Sequence, residues 1–353
     1  MNTGELRRSR DTCLARMEFA RRSPDTFELC RAQTALAWVA AAQGSWGEAH
    51  DVIAQVRATA ERLPNSEALS FVITASGISA YWCGDYAAAE REFLAVEALF
   101  DRTPDVKGGY WGGLLGLAQL ALGKRGDARA YMAKQEKILA ALPEKSTLTA
   151  PILTCLAMMA LASGDHSGAM RYYERLLPFQ GQFYWFVVDR ALAMIETLQG
   201  NWSTAEGHLA SAEALCRRED IRPELPLVLA ARADLEVARG GRGSAMRARL
   251  LLGQALDLLQ VLGMTGEARR ARERLRGLPR QPGADHPVYP AGLSAREVQV
   301  LRLVAGGMSN RRIAKELALS ENTVANHLTS IFNKTGADNR ASATAFAVRH
   351  GLA

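Results

Sequence analysis

Along most of the chain, apolar positions recur with a helical period and are cut at regular intervals by glycine. Apolar stretches such as AQTALAWVAAAQ (32–43) and RALAMIETLQ (190–199) each run up to a glycine. A second helical stretch follows, as in YAAAEREFLAVEALF (86–100). The glycines are Gly44, Gly84, Gly123, Gly164, Gly200 and Gly240, spaced by 40, 39, 41, 36 and 40 residues. Five residues after each stands an alanine: Ala49, Ala89, Ala128, Ala169, Ala205 and Ala245. Two residues after each stands an aromatic or long side chain: Trp46, Tyr86, Arg125, His166, Trp202 and Arg242.

This pattern predicts a helix hairpin repeated six times. Glycine ends the first helix because positive φ costs it nothing. The alanine lies where two helices approach too closely for a larger side chain. Pro64, Pro104, Pro143, Pro178 and Pro223 fall between hairpins. No hairpin buries its apolar face alone, so neighbours must stack into a superhelix. Ahead of the array, Leu6 to Arg21 reads as a pre-helix. Behind it, Thr265 to Leu278 is so highly charged that it reads as a polar capping helix. GLPRQPGADHPVYPAG (277–292) holds four prolines and reads as a semi-rigid linker, neither helix nor central strand, across which the flanking domains move.

After the linker the pattern shortens. Ser294 and Glu297 form a capping box for a helix with Val298, Leu301, Val304 and Ala305 on its apolar face. Gly306 and Gly307 stop it. Ser309 or Asn310 caps a short second helix with Ile313, Ala314 and Leu317 inward. Ser320 caps a third helix that buries Val324, Leu328, Ile331 and Phe332, and a fourth runs from about Asn339 to His350. Two short helices joined by a tight turn follow the helix-turn-helix plan. The outward face of the third helix carries Glu321, Asn322, Ala325, Asn326 and Thr329.

Two resemblances follow from these motifs. Gly84-Asp85-Tyr86-Ala87-Ala88-Ala89 and Gly200-Asn201-Trp202-Ser203-Thr204-Ala205 resemble the turn of the tetratricopeptide family over roughly residues 31–263, with a period near 40 instead of the usual 34. The pattern S-N-x-x-I-A-x-x-L-x-x-S-x-x-T-V-x-x-H, from Ser309 to His327, resembles the LuxR/FixJ-type DNA-binding domain. Together they imply an all-α chain: a tetratricopeptide-like superhelix that senses or interacts (1–278), the linker (279–292), and a four-helix LuxR-type domain (293–353). The expected function is a transcription regulator, with the third helix, about Ser320 to Thr335, in the major groove and the repeat domain under effector control.

In the resembled domain the base readers correspond to Ala325, Asn326 and Thr329, with Asn322 beside them. Asn326 suits an adenine edge and Thr329 a thymine methyl. A lysine or arginine is common where Ala325 stands, so readout here is expected to depend less on guanine or more on shape. Asn310, Arg311, Arg312, Ser320, Thr323, Lys334 and Arg340 are phosphate-contact candidates by residue type. For each the alternative is a solvated polar face. His327 has a structural or phosphate role, since no second metal ligand is near.

Charge supports this reading modestly. The chain carries +6 overall. The last 61 residues hold eight Lys/Arg against four acids, so most of that excess sits in one small module, as suits a polyanion. The cysteines (Cys13, Cys30, Cys83, Cys155, Cys216) form no CxxC and read as free thiols of a reducing cytosol. Neither a membrane span nor a signal peptide is legible, so a cytoplasmic location is expected.

No phosphate-binding G-x-x-x-x-G-K-[ST] occurs, so the large ATP-dependent LuxR-family regulators are matched only in their C-terminal half and no cofactor is implied. Met1 and the pre-helix favour a complete short protein over a fragment. The expected partners are double-stranded DNA, a second copy of the chain on DNA through the fourth helix (Ala341 to Val348), and a small-molecule, peptide or protein effector. RNA polymerase is a further candidate. No catalytic constellation is visible, so the chain does not read as an enzyme. The competing class is a scaffold or adaptor whose helix-turn-helix binds protein. Phe183-Tyr184-Trp185-Phe186, near Tyr172 and Tyr173, reads as ordinary inter-helix core ahead of a ligand site; Tyr172, Tyr184 and Trp185 are the candidate contacts if it is a site.

Overall fold

The computed structural model describes residues 5–23, 25–63, 66–102, 112–143, 146–278, 289–317 and 321–352. Among them are eighteen α-helices and no strand beyond an isolated bridge between Phe183 and Val187. The chain divides into two compact units, Met1–Leu278 and Pro279–Ala353. Residues 279–288, most of the predicted linker, lie outside the described residues, as do Pro64 and Pro104. The end of the predicted linker is ordered differently: Pro290–Gly292 is a 3-10 turn, and Tyr289 packs on the C-terminal core.

The first unit is a stack of hairpins. After α1 (Leu6–Arg22) come six helix pairs: α2 (Thr26–Ala42) with α3 (Trp46–Ala60), α4 (Ser66–Cys83) with α5 (Tyr86–Arg102), α6 (Gly112–Ala121) with α7 (Arg125–Ala141), α8 (Thr149–Ser163) with α9 (His166–Leu176), α10 (Val188–Gln199) with α11 (Trp202–Glu219), and α12 (Glu224–Arg239) with α13 (Ser244–Val261). A last helix, α14 (Thr265–Gly277), follows. The first five turn glycines all have φ between 70° and 86°. Their partners Ala49, Ala89, Ala128, Ala169 and Ala205 are at most 1% exposed, which is what two closely packed helices require.

The sixth turn has a different register from the one the period predicts. Gly240 has φ 66° and ψ −162°, outside the left-handed helical region, and Ala245 is only half-buried. The residue that starts α13 is Gly243 (φ 80°, ψ 1°), and the alanine five residues on, Ala248, is fully buried. Three residues have been inserted before the turn. The same glycine–alanine relation then recurs once more, at Gly263 (φ 68°) and Ala268 (3% exposed), and starts α14.

α14 is more than a polar cap. Its turn meets the turns of the first two hairpins, so the superhelix comes back on itself. Trp46 Nε1 donates to the Leu262 carbonyl, and Thr265 Oγ1 donates to the Cys83 carbonyl at 3.3 Å. Tyr86 Oη donates to Glu267 at 2.9 Å, under the Arg270 guanidinium. At this closure a Cβ on Gly84 would stand 2.5 Å from the Gly266 backbone nitrogen. Gly164 has a similar φ of 80° but open space around its Cα. Gly84→Ala should therefore cost about 1–3 kcal/mol more than Gly164→Ala, which bears the backbone strain alone. Equal urea midpoints for the two variants would show that the closure has room to give.

Between α9 and α10 the chain makes an inserted loop whose residues 183–187 enter the middle of the stack. A buried ion pair anchors it: Arg190 Nε and Nη2 donate to Glu224 at 2.9 and 3.0 Å, and Glu224 also accepts from the Val187 backbone N–H. Asp189 accepts from the Gly181 N–H at 2.6 Å. Phe183 stacks on Trp82, Trp185 meets Trp38 edge-on at 5.5 Å, and Phe186 meets Tyr81. The loop separates two cavities. Phe183, Tyr184 and Trp185 line one, and Phe186 lines the other.

The second unit contains α15 (Ala295–Ala305), α16 (Asn310–Glu316), α17 (Glu321–Thr335) and α18 (Arg340–Arg349). Its core is Leu293, Val298, Leu301, Val304, Ile313, Ala314, Val324, Leu328 and Ile331 with the inner face of α18. Val300, off the predicted stripe, is buried as well, because α15 packs against both α17 and α18. Among the described residues no helix is long and apolar enough to cross a membrane.

Candidate nucleic-acid interface

One carboxylate ties α17 to α15. Glu297 closes the capping box at the start of α15, where Ser294 accepts from the Glu297 N–H and Glu297 accepts from the Ser294 N–H at 2.6 Å. The same carboxylate receives Ser330 Oγ at 2.6 Å and Lys334 Nζ at 2.8 Å, both from α17. Burial alone would raise the Glu297 carboxyl. The Lys334 ammonium, the Ser294 N–H and the Ser330 and Ser294 hydroxyls outweigh it and hold the group at about 2, below its ordinary 4.5.

A depressed carboxylate contributes stability that is fully present above pH 4.5 and is lost as the pH falls toward 2, a contribution of about 3 kcal/mol. Amide-exchange protection in α15 and α17 should fall on acidification from pH 5 to pH 3, and Glu297→Gln should lower it at neutral pH and flatten that acid dependence. A variant as steep as the parent would mean that other groups set the acid limb.

With Val324, Leu328 and Ile331 turned inward, the opposite face of α17 is left to solvent. Asn322, Ala325, Asn326 and Thr329 are all exposed along it. Asn333 is exposed too and continues the i, i+4, i+7, i+11 row from Asn322; helical spacing alone would have found it. Thr329 Oγ1 donates to the Ala325 carbonyl at 3.1 Å, which satisfies its donor within the helix. His327 is half-buried on the flank. The stripe bears no cation and a single acid, Glu321, at its start.

The phosphate candidates divide into two groups. Arg311 and Arg312 are exposed at the start of α16, with no ion pair among the described residues. Lys334 is committed to Glu297, and Arg340 to Asn310 Oδ1 at 3.2 Å and to the Met308 carbonyl. These three side chains, Lys334, Arg340 and Asn310, tie α17 and α18 to the rest of the domain. Arg296 likewise donates to the Leu317 carbonyl at 2.9 Å, at the entry to the turn. Ser309 caps α16, accepting from the Arg312 N–H, and Asn310 is the first helical residue. Thr323 is half-buried. Ser320, both as cap and as phosphate contact, lies outside the described residues with the rest of the turn 318–320.

Of the three candidate effector contacts in the repeat domain, two line one cavity and Tyr172 does not. Tyr172 is buried in the core between α7 and α10, and its hydroxyl donates to Glu136 at 2.6 Å. Tyr184 and Trp185 line the cavity beside the inserted loop.

Residues 291–347 match the family of bacterial regulatory proteins of the luxR type. Similar curated proteins include the transcriptional regulatory protein YdfI of Bacillus subtilis (43% identical over 60 residues, 17% of this chain and 28% of that protein). The fimbriae Z protein of Salmonella typhimurium is 42% identical over 73 residues, 21% of this chain and 34% of that protein. The probable transcriptional regulatory protein NarL of Mycobacterium tuberculosis is 44% identical over 66 residues, 19% and 30%. The chain thus spans about a third or less of the length of these relatives. Among solved structures, a tetratricopeptide repeat protein from Parabacteroides merdae is 16% identical with a TM-score of 0.42, covering 77% of this chain and 92% of that one. BtubC from P. vanneervenii is 16% identical at a TM-score of 0.42, covering 78% and 94%.

Proposed function

We propose that this chain is a sequence-specific DNA-binding transcription regulator whose helical repeat domain receives the controlling signal. The observation that carries the reading is the luxR-family match over residues 291–347, on a helix-turn-helix whose α17 presents an exposed polar row. In this reading α17 lies in the major groove. Asn326 pairs with an adenine edge, Thr329 packs on a thymine methyl, Asn322 and Ala325 flank them, and Asn333 extends the contact. Arg311 and Arg312 neutralise phosphates. Lys334, Arg340 and Asn310 act chiefly by holding α17 and α18 in place, with Ser320 and Thr323 at the backbone. Two copies bind DNA together through α18, where Val348 is 65% exposed, and RNA polymerase is the downstream partner in the cytoplasm.

Titration of the full chain against duplex DNA at increasing salt tests this. Affinity should fall steeply with salt, and Arg311→Ala and Arg312→Ala should each reduce the slope by about 1. If neither variant moves the slope, the arginines do not touch phosphate. If the chain binds no duplex at low salt, the domain is a protein-interaction module and the chain an adaptor.

A further inference from the structure

Positive charge in the repeat domain is gathered at its end. Residues 1–264 hold 29 Lys/Arg against 30 Asp/Glu. α14 then carries five arginines against two glutamates in 13 residues. The fold divides these arginines by role. Arg270 pairs with Glu267 at 2.6 Å, and Arg274 is held by Asp234 and the Ala230 carbonyl. Arg269, Arg272 and Arg276 are exposed and form no ion pair among the described residues. Three and four residues apart, they fall on one stripe of the helix. Glu273 is the one exposed acid of α14.

Helix electrostatics explain part of this pattern. A cation in the last turn meets the negative end of the macrodipole, which accounts for Arg276. Arg269 stands in the second turn and Arg272 in the middle, where the dipole gives a cation no gain. Burial does not explain them either, since both are exposed. An unpaired guanidinium binds phosphate oxygens in bidentate fashion. The stripe is about 10 Å long, comparable with the axial length of three phosphates on one DNA strand.

The place of α14 in the chain supplies the partner. Ten residues, 279–288, join Leu278 to Tyr289, which packs on the core of the C-terminal unit. A segment of that length reaches at most about 40 Å, or about 12 base pairs. A duplex held by α17 is therefore tethered to the stripe at high effective concentration.

We propose that Arg269, Arg272 and Arg276 of α14 bind the phosphate backbone of the same duplex that α17 reads, without regard to its sequence. The inference rests on the regulator reading and extends it: the repeat domain contributes to DNA affinity directly, beside any signal it receives.

The test is the salt dependence of full-chain binding to a duplex that carries the preferred site with about 15 base pairs on either side, longer than the reach of the tether. Arg269→Gln, Arg272→Gln and Arg276→Gln combined should lower the slope of log affinity against log salt by about 2–3. At 0.1 M salt the variant should bind about a hundredfold more weakly, by the same factor on preferred and unrelated duplexes. Arg125→Gln, Arg129→Gln and Lys137→Gln combined remove the same charge from exposed positions of α7 and should leave the slope as in the parent. A melting transition like the parent's confirms that both variants are folded. An unchanged slope in the α14 variant overturns the proposal. An equal fall in the α7 variant does so too, since net charge would then be the cause. A parent chain that binds no duplex defeats the regulator reading and this inference with it. A parent that binds duplex with a slope indifferent to α14 defeats this inference alone.

Discussion

Arg190→Leu should destabilise the repeat domain by about 3–5 kcal/mol, read as a shift of its urea midpoint by tryptophan fluorescence. The size follows from what stays behind. Glu224 is fully buried, and Arg190 supplies two of the three donors it receives. Without the guanidinium, the carboxylate either stays charged in an apolar surround or takes up a proton and gives up its acceptor role. Arg190→Leu combined with Glu224→Leu should recover part of the loss, since a matched apolar pair replaces a matched ionic one. Recovery should stop short of the parent because the Val187 N–H then loses its acceptor. A single variant that costs less than about 1 kcal/mol would place the anchoring of the inserted loop elsewhere. The same variant should disturb the tryptophan cavity, because residues 183–185 are held through Val187 and α10.

Asn326→Ala should weaken binding to the duplex the chain prefers by about ten- to a hundredfold, the equivalent of about 1–3 kcal/mol. Its affinity for unrelated duplex and its salt slope should stay as in the parent, since Asn326 carries no charge. The side chain is exposed and makes no hydrogen bond among the described residues, so the melting temperature should not move. Loss of affinity for all sequences alike would mean that the residue touches the backbone and reads nothing. The contrast with Arg311→Ala, which should weaken every sequence and reduce the salt slope, separates positioning from reading.

The hairpins were legible because their signal is local. A glycine at positive φ and an alanine five residues later each have a steric reason that needs only one turn of chain, and five turns carry it unaltered. The sixth misleads because Gly240, Gly241 and Gly243 crowd together, and the period alone selects the first of them, while burial of Ala248 selects the last. The seventh instance, Gly263 and Ala268, was hidden by the charge of the helix it starts. Those charges turn out to be used: Glu267 meets Tyr86, and Arg274 meets Asp234 and the Ala230 carbonyl.

Long-range features left no local trace. The closure of Gly84 against Gly266 and the entry of residues 183–187 among Trp38 and Trp82 join segments far apart in the chain. The aromatic cluster itself could be read, but not which way its members face. Tyr172 is buried in the core formed by α7 to α10, Trp185 lines the cavity, and Tyr184 touches both. In the C-terminal domain the outward row of α17 followed directly from its apolar spacing. Residue type could not say which cations are already engaged. Lys334 and Arg340 resemble phosphate ligands in sequence, and in the fold they grip Glu297 and Asn310.

Whether α17 reads DNA sequence is answered by selection with the full chain from a pool of random duplexes. A short, roughly two-fold symmetric site whose binding is lost at high salt should be enriched. A pool that emerges unenriched would mean that α17 reads no sequence.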